Sequence, residues 1–234
     1  MKIIINGSNG RIGKEITKLL LDGYKNSSLA AKVDRNNTTS ANDLLFAKLD
    51  DFDGEADCII DFSNHLATKD LTDYAIKRNI PLVIATTGQT EEELEMIKVA
   101  SKKIPVFLAA NVSVGIALLL ELVKLTVKMM PGAEIGILEK HHNQKLDAPS
   151  GTALAIERAI KSVKEKEDKQ IEIHSIRMGN IVGEHEVIIG TKTETITLKH
   201  KAHCKELFAE GAIVAAEFLI DKPAGLYGMK DLIG

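Results

Sequence analysis

One short segment, "EKHHNQKLDAPSGTALA", gathers two adjacent histidines, His141 and His142, then Lys145, then Ser150, Gly151 and Thr152 opening an apolar helical run. Three kinds of chemistry draw on such residues. A metal ion would need both imidazoles on one side of the chain. Neighbouring residues of an extended segment point to opposite sides, and neither an H-E-x-x-H helix nor a cysteine pair supplies ligand spacing, so no metal is expected. A plain polar loop is the second reading. It accounts poorly for two histidines and a lysine set between an apolar strand and a helix start. The third reading is a site for an anionic substrate. Residues 150–152 would turn backbone N–H groups and the positive end of a helix dipole toward a carboxylate. Lys145 adds a full positive charge, and a histidine can act as an acid near neutral pH. Such groups bind an unsaturated acid and protonate it during a hydride transfer.

A second constellation would serve that hydride transfer. Gly7, Gly10 and Gly13 follow an apolar run, "KIIIN", and open a helical pattern. Glycines there let the backbone turn sharply and approach a pyrophosphate, whose charge the helix N-terminus binds. The spacing is G-x-x-G-x-x-G, weaker as a signal than G-x-G-x-x-G. An acid in the right place strengthens it: Asp34, 21 positions beyond Gly13, ends the next apolar run, where a ribose-binding carboxylate belongs. Arg35 follows it and would attract a 2′-phosphate. Carrying both predicts use of NADH and NADPH, with NADH slightly favoured.

The elements that must position these groups alternate in the first half. Strand-like runs "KIIIN", "SLAAKVD", "DCIIDFS", "PLVIATTG" and "IPVFLAAN" are separated by helical patterns, among them "TEEELEMIKVASKK" with Thr90 as N-cap. Continuous apolar runs suit strands buried on both faces of a parallel sheet, so the first half predicts a Rossmann-like α/β domain. The ends of these strands would rim its ligand crevice: Asp61, Phe62 and Ser63; Ala85, Thr86 and Thr87; Ala109, Ala110 and Asn111. The second half reads as a long helix, "SVGIALLLELVKLTVKMM", then a strand, a helix, three alternating strands with a hairpin turn at residues 190–193, and a last helix, "KELFAEGAIVAAEFLI". That predicts an α+β domain with a mixed sheet. "SVKEKEDKQ", the most polar stretch, is expected to be a surface loop.

Composition excludes several partners. The chain has 234 residues, 44% of them hydrophobic, enough for a sizeable core. A formal net charge of −3 without a basic run argues against nucleic acid. Two distant cysteines, Cys58 and Cys204, fit a reducing compartment. No apolar window reaches the length of a membrane span, and the N-terminus lacks the pattern of a signal peptide. A cytoplasmic location is expected.

The motifs together resemble the 4-hydroxy-tetrahydrodipicolinate reductase (dihydrodipicolinate reductase) family. "GSNGRIG", "DFS", "ATTG", "AANVSVG", "EKHHNQKLDAPSGTA", "IRMGNIVGEHEV" and "GLYGMKDLI" run in that family's order along nearly the whole chain. The resemblance implies a dinucleotide-binding domain over residues 1–111, a substrate-binding and oligomerisation domain over 112–204, and a tail over 205–234 that returns to the first. It implies a homotetramer, a cyclic imine dicarboxylate as substrate, and a role in lysine and diaminopimelate biosynthesis. By position, His141 matches the proposed acid and Lys145 a second catalytic residue, while His142, Ser150, Gly151 and Thr152 match substrate contacts. Gly7, Ser8, Asn9, Gly10, Arg11, Ile12, Gly13, Asp34, Arg35, Ala85, Thr86, Thr87, Ala109, Ala110, Asn111 and Val112 match cofactor contacts. The chain departs from the pattern at Asn64 and His65, where a proline is common, at Ala85 for glycine, and at Val112 for phenylalanine. Other readings are a two-domain dehydrogenase of another small acid and a non-enzymatic NAD sensor. A semialdehyde dehydrogenase would need a catalytic cysteine, which neither Cys58 nor Cys204 suits.

Overall fold

The computed structural model describes residues 1–36, 40, 43–164 and 171–234, which form two compact units: Met1–Val112 with Glu206–Gly234, and Ser113–Lys205. Most of the polar stretch, residues 165–170, lies outside the described residues.

The first unit is a seven-stranded sheet in the order β11-β6-β5-β4-β1-β2-β3. Its strands are β1 (Lys2–Asn6), β2 (Ser28–Val33), β3 (Leu45–Phe46), β4 (Cys58–Asp61), β5 (Leu82–Ile84), β6 (Pro105–Leu108) and β11 (Gly225–Tyr227). Every pairing in it is parallel. The apolar run of β1 has a physical cause in the two layers it feeds. Ile3 and Ile5 pack on one face with Ile16 of α1 (Arg11–Leu21) and Ile213 of α6 (Glu206–Leu219). Ile4 packs on the other with Leu71 of α2 (Thr68–Arg78) and Ile97 of α3 (Glu91–Ser101). Strand order reverses direction at β1, which lies between β2 and β4, and ligands of such sheets bind at that switch point. The tail adds β11 to the β6 edge and ends in α7 (Met229–Ile233).

The second unit is a four-stranded mixed sheet, order β10-β9-β7-β8, from β7 (Glu134–His141), β8 (Glu172–Arg177), β9 (Gly183–Gly190) and β10 (Thr195–Ala202). Only β7 and β8 run parallel. α4 (Val114–Met129) and α5 (Gly151–Lys161) cover one face, packing Leu119, Val123, Ile156 and Ile160 on Ile135, Ile137, Val187 and Ile189. The hairpin turn sits one residue later than the sequence suggests, closed by Thr191 N–H donating to the Glu194 carbonyl. Among the described residues no helix is long and apolar enough to cross a membrane.

Candidate active site

In the first unit the glycine-rich turn leaves β1 at φ +83° for Gly7, a conformation that favours glycine. A β-carbon on Gly7 would stand 2.5 Å from the Phe62 carbonyl oxygen; one on Gly13 would collide with Gly7 and come within 2.8 Å of the Ser8 α-carbon. The turn is pinned by Gly7 and Ser8 N–H donating to the Val33 carbonyl at 2.9 and 3.1 Å. Gly10 stands at the N-cap of α1, which has no side-chain cap and no acid in its first turn. No acid of the helix's own first turn therefore competes with an anion at its start. Ser8 Oγ is buried with no hydrogen-bond partner. These features fit a dinucleotide pyrophosphate.

Asp34 braces the same turn: its carboxylate accepts from Asn9 N–H at 3.1 Å and Asn36 N–H at 3.2 Å. Arg11, Arg35, Thr87 and Ala110 are exposed, Ile12 and Asn111 are half-buried, and Ala85, Thr86, Ala109 and Val112 are buried. Beneath this rim lies a buried carboxylate, Asp61. It accepts from Asn6 Nδ2 (2.8 Å), Ser63 Oγ (2.5 Å) and Thr86 Oγ1 (2.6 Å), tying the ends of β1, β4 and β5 together. Burial raises its pKa, and the donors from Ser63, Thr86 and Asn6 oppose that rise. His65 bonds Glu93 at 2.9 Å and so links the entry of α2 to that of α3.

In the second unit β7 delivers the histidine pair. His141 is buried and His142 is partly exposed, its Nδ1 buried and unpartnered. His141 Nδ1 hydrogen-bonds Glu139 Oε2 at 2.5 Å, and Glu139 is 0% exposed. Arg177 grips that carboxylate with two N–H groups at 2.8 and 2.7 Å, and also donates to the Asp147 carbonyl at 2.6 Å. Burial pushes the Glu139 pKa up, but hydrogen bonds from Arg177, Ser175 and His141 prevail and hold it at about 2. Burial lowers the His141 pKa; Glu139 raises it, and Lys145 and Arg177 lower it further.

Ser150 joins this cluster to α5. Its N–H donates to Glu139 Oε1 at 3.2 Å, its hydroxyl accepts from Ala153 N–H at 3.2 Å, and the same oxygen meets His185 Nε2 at 3.2 Å. Thr152 lies half-buried in the first turn. Gly151 faces open space: a β-carbon there would meet nothing within 4 Å. Lys145 is engaged by Asp147, at 2.6 and 2.7 Å. The fold thus brings His141 and Ser150 onto one carboxylate and sets Lys145 on another. Glu139, Arg177 and His185 were not singled out in the sequence. For Glu139 and His185 a signal was present: alternation through Ile135 and Ile137 puts Glu139 and His141 on the inner face of β7, as Val187 and Ile189 do for His185 on β9. Cys58 is fully buried and its thiol pKa is pushed up by burial, which suits no nucleophile.

A Rossmann-type unit with a glycine cradle, joined in one chain to an α+β unit with a histidine at an open helix start, defines a two-unit NAD(P)-dependent oxidoreductase. Residues 1–112 match the family model "Dihydrodipicolinate reductase, N-terminus", and residues 115–233 match "Dihydrodipicolinate reductase, C-terminus". The 4-hydroxy-tetrahydrodipicolinate reductase of Caldanaerobacter subterraneus subsp. tengcongensis is 44% identical over 100% of this chain and 98% of its own. That of Clostridium novyi is 39% identical over 99% and 98%. Among solved structures, dihydrodipicolinate reductase from Paenisporosarcina sp. TG-14 shares the fold with TM-score 0.84 at 24% identity, covering 99% of this chain and 98% of that one. A myo-inositol dehydrogenase from Corynebacterium glutamicum shares it more distantly, with TM-score 0.61 at 15% identity over 96% and 90%. The chain belongs to the dihydrodipicolinate reductase family. The family reaction is NAD(P)H-dependent reduction of 4-hydroxy-tetrahydrodipicolinate, in lysine and diaminopimelate biosynthesis, and this chain is an oxidoreductase of that kind.

Proposed function

We propose that this chain performs the reduction with His141 as the proton donor and the start of α5 as the anchor for a substrate carboxylate. The observation that carries this reading is a buried imidazole held by Glu139, which also holds the first residue of an open helix turn. The nicotinamide cofactor, when bound along residues 7–13, supplies a hydride. The substrate loses its hydroxyl as water around the reduction. Hydride addition to the conjugated C=C–C=N unit drives electron density to the ring nitrogen, which needs one proton. His141 delivers it, and Lys145, paired with Asp147, serves as a cationic anchor or as a coupled second acid. Amides of Gly151 and Thr152 receive a carboxylate, and the unpartnered Nδ1 of His142 makes a further substrate contact. His141→Gln is expected to lower kcat by about 100-fold or more, with NADH affinity unchanged. Full turnover in that variant would refute the assignment.

The residues after β2 support use of both cofactors. Asp34 favours a free ribose, and exposed Arg35 favours a 2′-phosphate, with a slight preference for NADH. Fluorescence titration is expected to show Asp34→Ala weakening NADH more than NADPH and Arg35→Ala doing the reverse. Far tighter NADPH binding by the unaltered protein would overturn the preference. We infer a homotetramer working in the cytoplasm, with residues 1–111 and 205–234 holding cofactor and residues 112–204 holding substrate and neighbouring copies.

A further inference from the structure

We propose that Glu139 is the positioning residue of this site: its one carboxylate sets the tautomer and direction of the His141 imidazole and the place of the α5 start together. The inference rests on the reading of His141 as the acid. Glu139 Oε2 takes the His141 Nδ1 proton at 2.5 Å while Oε1 takes the Ser150 N–H at 3.2 Å, so ring and helix start share one two-atom reference. Arg177 fixes that reference with a planar fork to both oxygens, at 2.8 and 2.7 Å. The fork also keeps a fully buried carboxylate ionised, which a lone buried Glu would not remain.

The direction of the ring follows. With Nδ1 committed to Glu139, Nε2 is turned toward Gly183, where a β-carbon would lie 3.1 Å away. His185 meets the ring edge-on, with centroids 5.1 Å apart, and blocks its rotation. Nε2 is thus the nitrogen through which a proton leaves. The charged and titratable groups facing the ring are Glu139 on β7, Arg177 on β8, His185 on β9, and Lys145 from the following loop. Glu139 is matched by Arg177, and Lys145 by Asp147. Among the described groups around the ring, no surplus negative charge remains to hold a proton on the free imidazole. A dicarboxylate brings that charge, so the proton is acquired as the substrate class binds.

The test combines one spectrum of the unaltered protein with two variants. The ¹⁵N shifts of His141 are expected to show a protonated Nδ1 and a bare Nε2 at neutral pH, and protonation of both after pyridine-2,6-dicarboxylate is added. The opposite tautomer, or a ring left neutral by the dicarboxylate, would overturn the proposal without any variant. Glu139→Gln is expected to lower kcat on the order of 10- to 100-fold with little change in KM. The alkaline limb of its kcat–pH profile should move to lower pH, because a carboxylate that favours the imidazolium is gone; a purely structural role would leave that limb in place. If His141→Gln loses turnover while Glu139→Gln keeps both kcat and profile, the positioning role fails and the acid assignment stands. If His141→Gln keeps turnover, the acid reading fails, and this inference with it.

Discussion

A methyl group on Gly183 would sit 3.1 Å from His141 Nε2 and 3.8 Å from His185 Cε1. Few side-chain contacts are that close, and the imidazole has little room to yield, because Glu139 and His185 hold its other edges. Gly183→Ala is therefore expected to lower kcat by roughly tenfold or more, while NADH binding, a property of the other unit, stays the same. Unchanged turnover would mean that Nε2 does not need that space. The residue scale also shows what a sequence can and cannot yield. His141, Lys145 and Ser150 are legible by type and crowding, because two imidazoles, an amine and a helix cap have few structural uses in one short segment. Glu139 is not legible by type, since a glutamate in an alternating strand resembles an outward position. Its phase in the alternation with Ile135, Ile137 and His141 betrays it. Arg177 reaches Glu139 across a parallel pairing of β7 and β8, and no local pattern encodes that register.

At the junction of α5 and β9, Ser150 caps the helix and meets His185, which is 4% exposed. Ser150→Ala is expected to cost about 1 kcal/mol from the lost cap and to weaken binding of pyridine-2,6-dicarboxylate; a melting curve and a titration check the two separately. His185 makes the junction acid-sensitive. Burial, helped by the neighbouring His141, lowers its pKa to about 4, so it stays neutral in the fold where an unfolded chain would already bind a proton. Protons favour the unfolded state between the ordinary value of 6.5 and about 4, so stability falls as pH falls through that window. Denaturant melts of His185→Gln are expected to flatten this slope; a slope identical to that of the unaltered protein would remove His185 as its cause. Elements differ in legibility for a related reason. Strands such as β1 announce themselves because they are apolar on both faces. β3 and β11, two and three residues long, are too short for any period. They exist because a neighbouring strand offers a parallel edge, which is tertiary information.

Over the whole molecule, one candidate contact surface is the sheet face of the second unit opposite α4 and α5, which keeps partly exposed apolar residues. Ile188 is 38% and Ile176 39% exposed there, among ion pairs from Lys199 and Lys201 to Glu184 and Glu186. A mixed sheet covered on one side only leaves its other face to water or to another copy. Matched charges around apolar residues suit a self-complementary contact, since each copy presents both signs to its partner. If copies associate as the proposed homotetramer, that face is the contact expected from its chemistry. Ile188→Glu places an unpaired charge in the middle of the contact, a change expected to cost several kcal/mol where partners are buried. Sedimentation should then show species lighter than four times 25.5 kDa, with a normal far-UV spectrum and NADH affinity. A second exposed apolar stripe provides the control: Leu118, Leu122, Leu125 and Met129 line one side of α4. If Leu122→Glu dissociates the assembly while Ile188→Glu leaves it intact, α4 and not the sheet joins the copies.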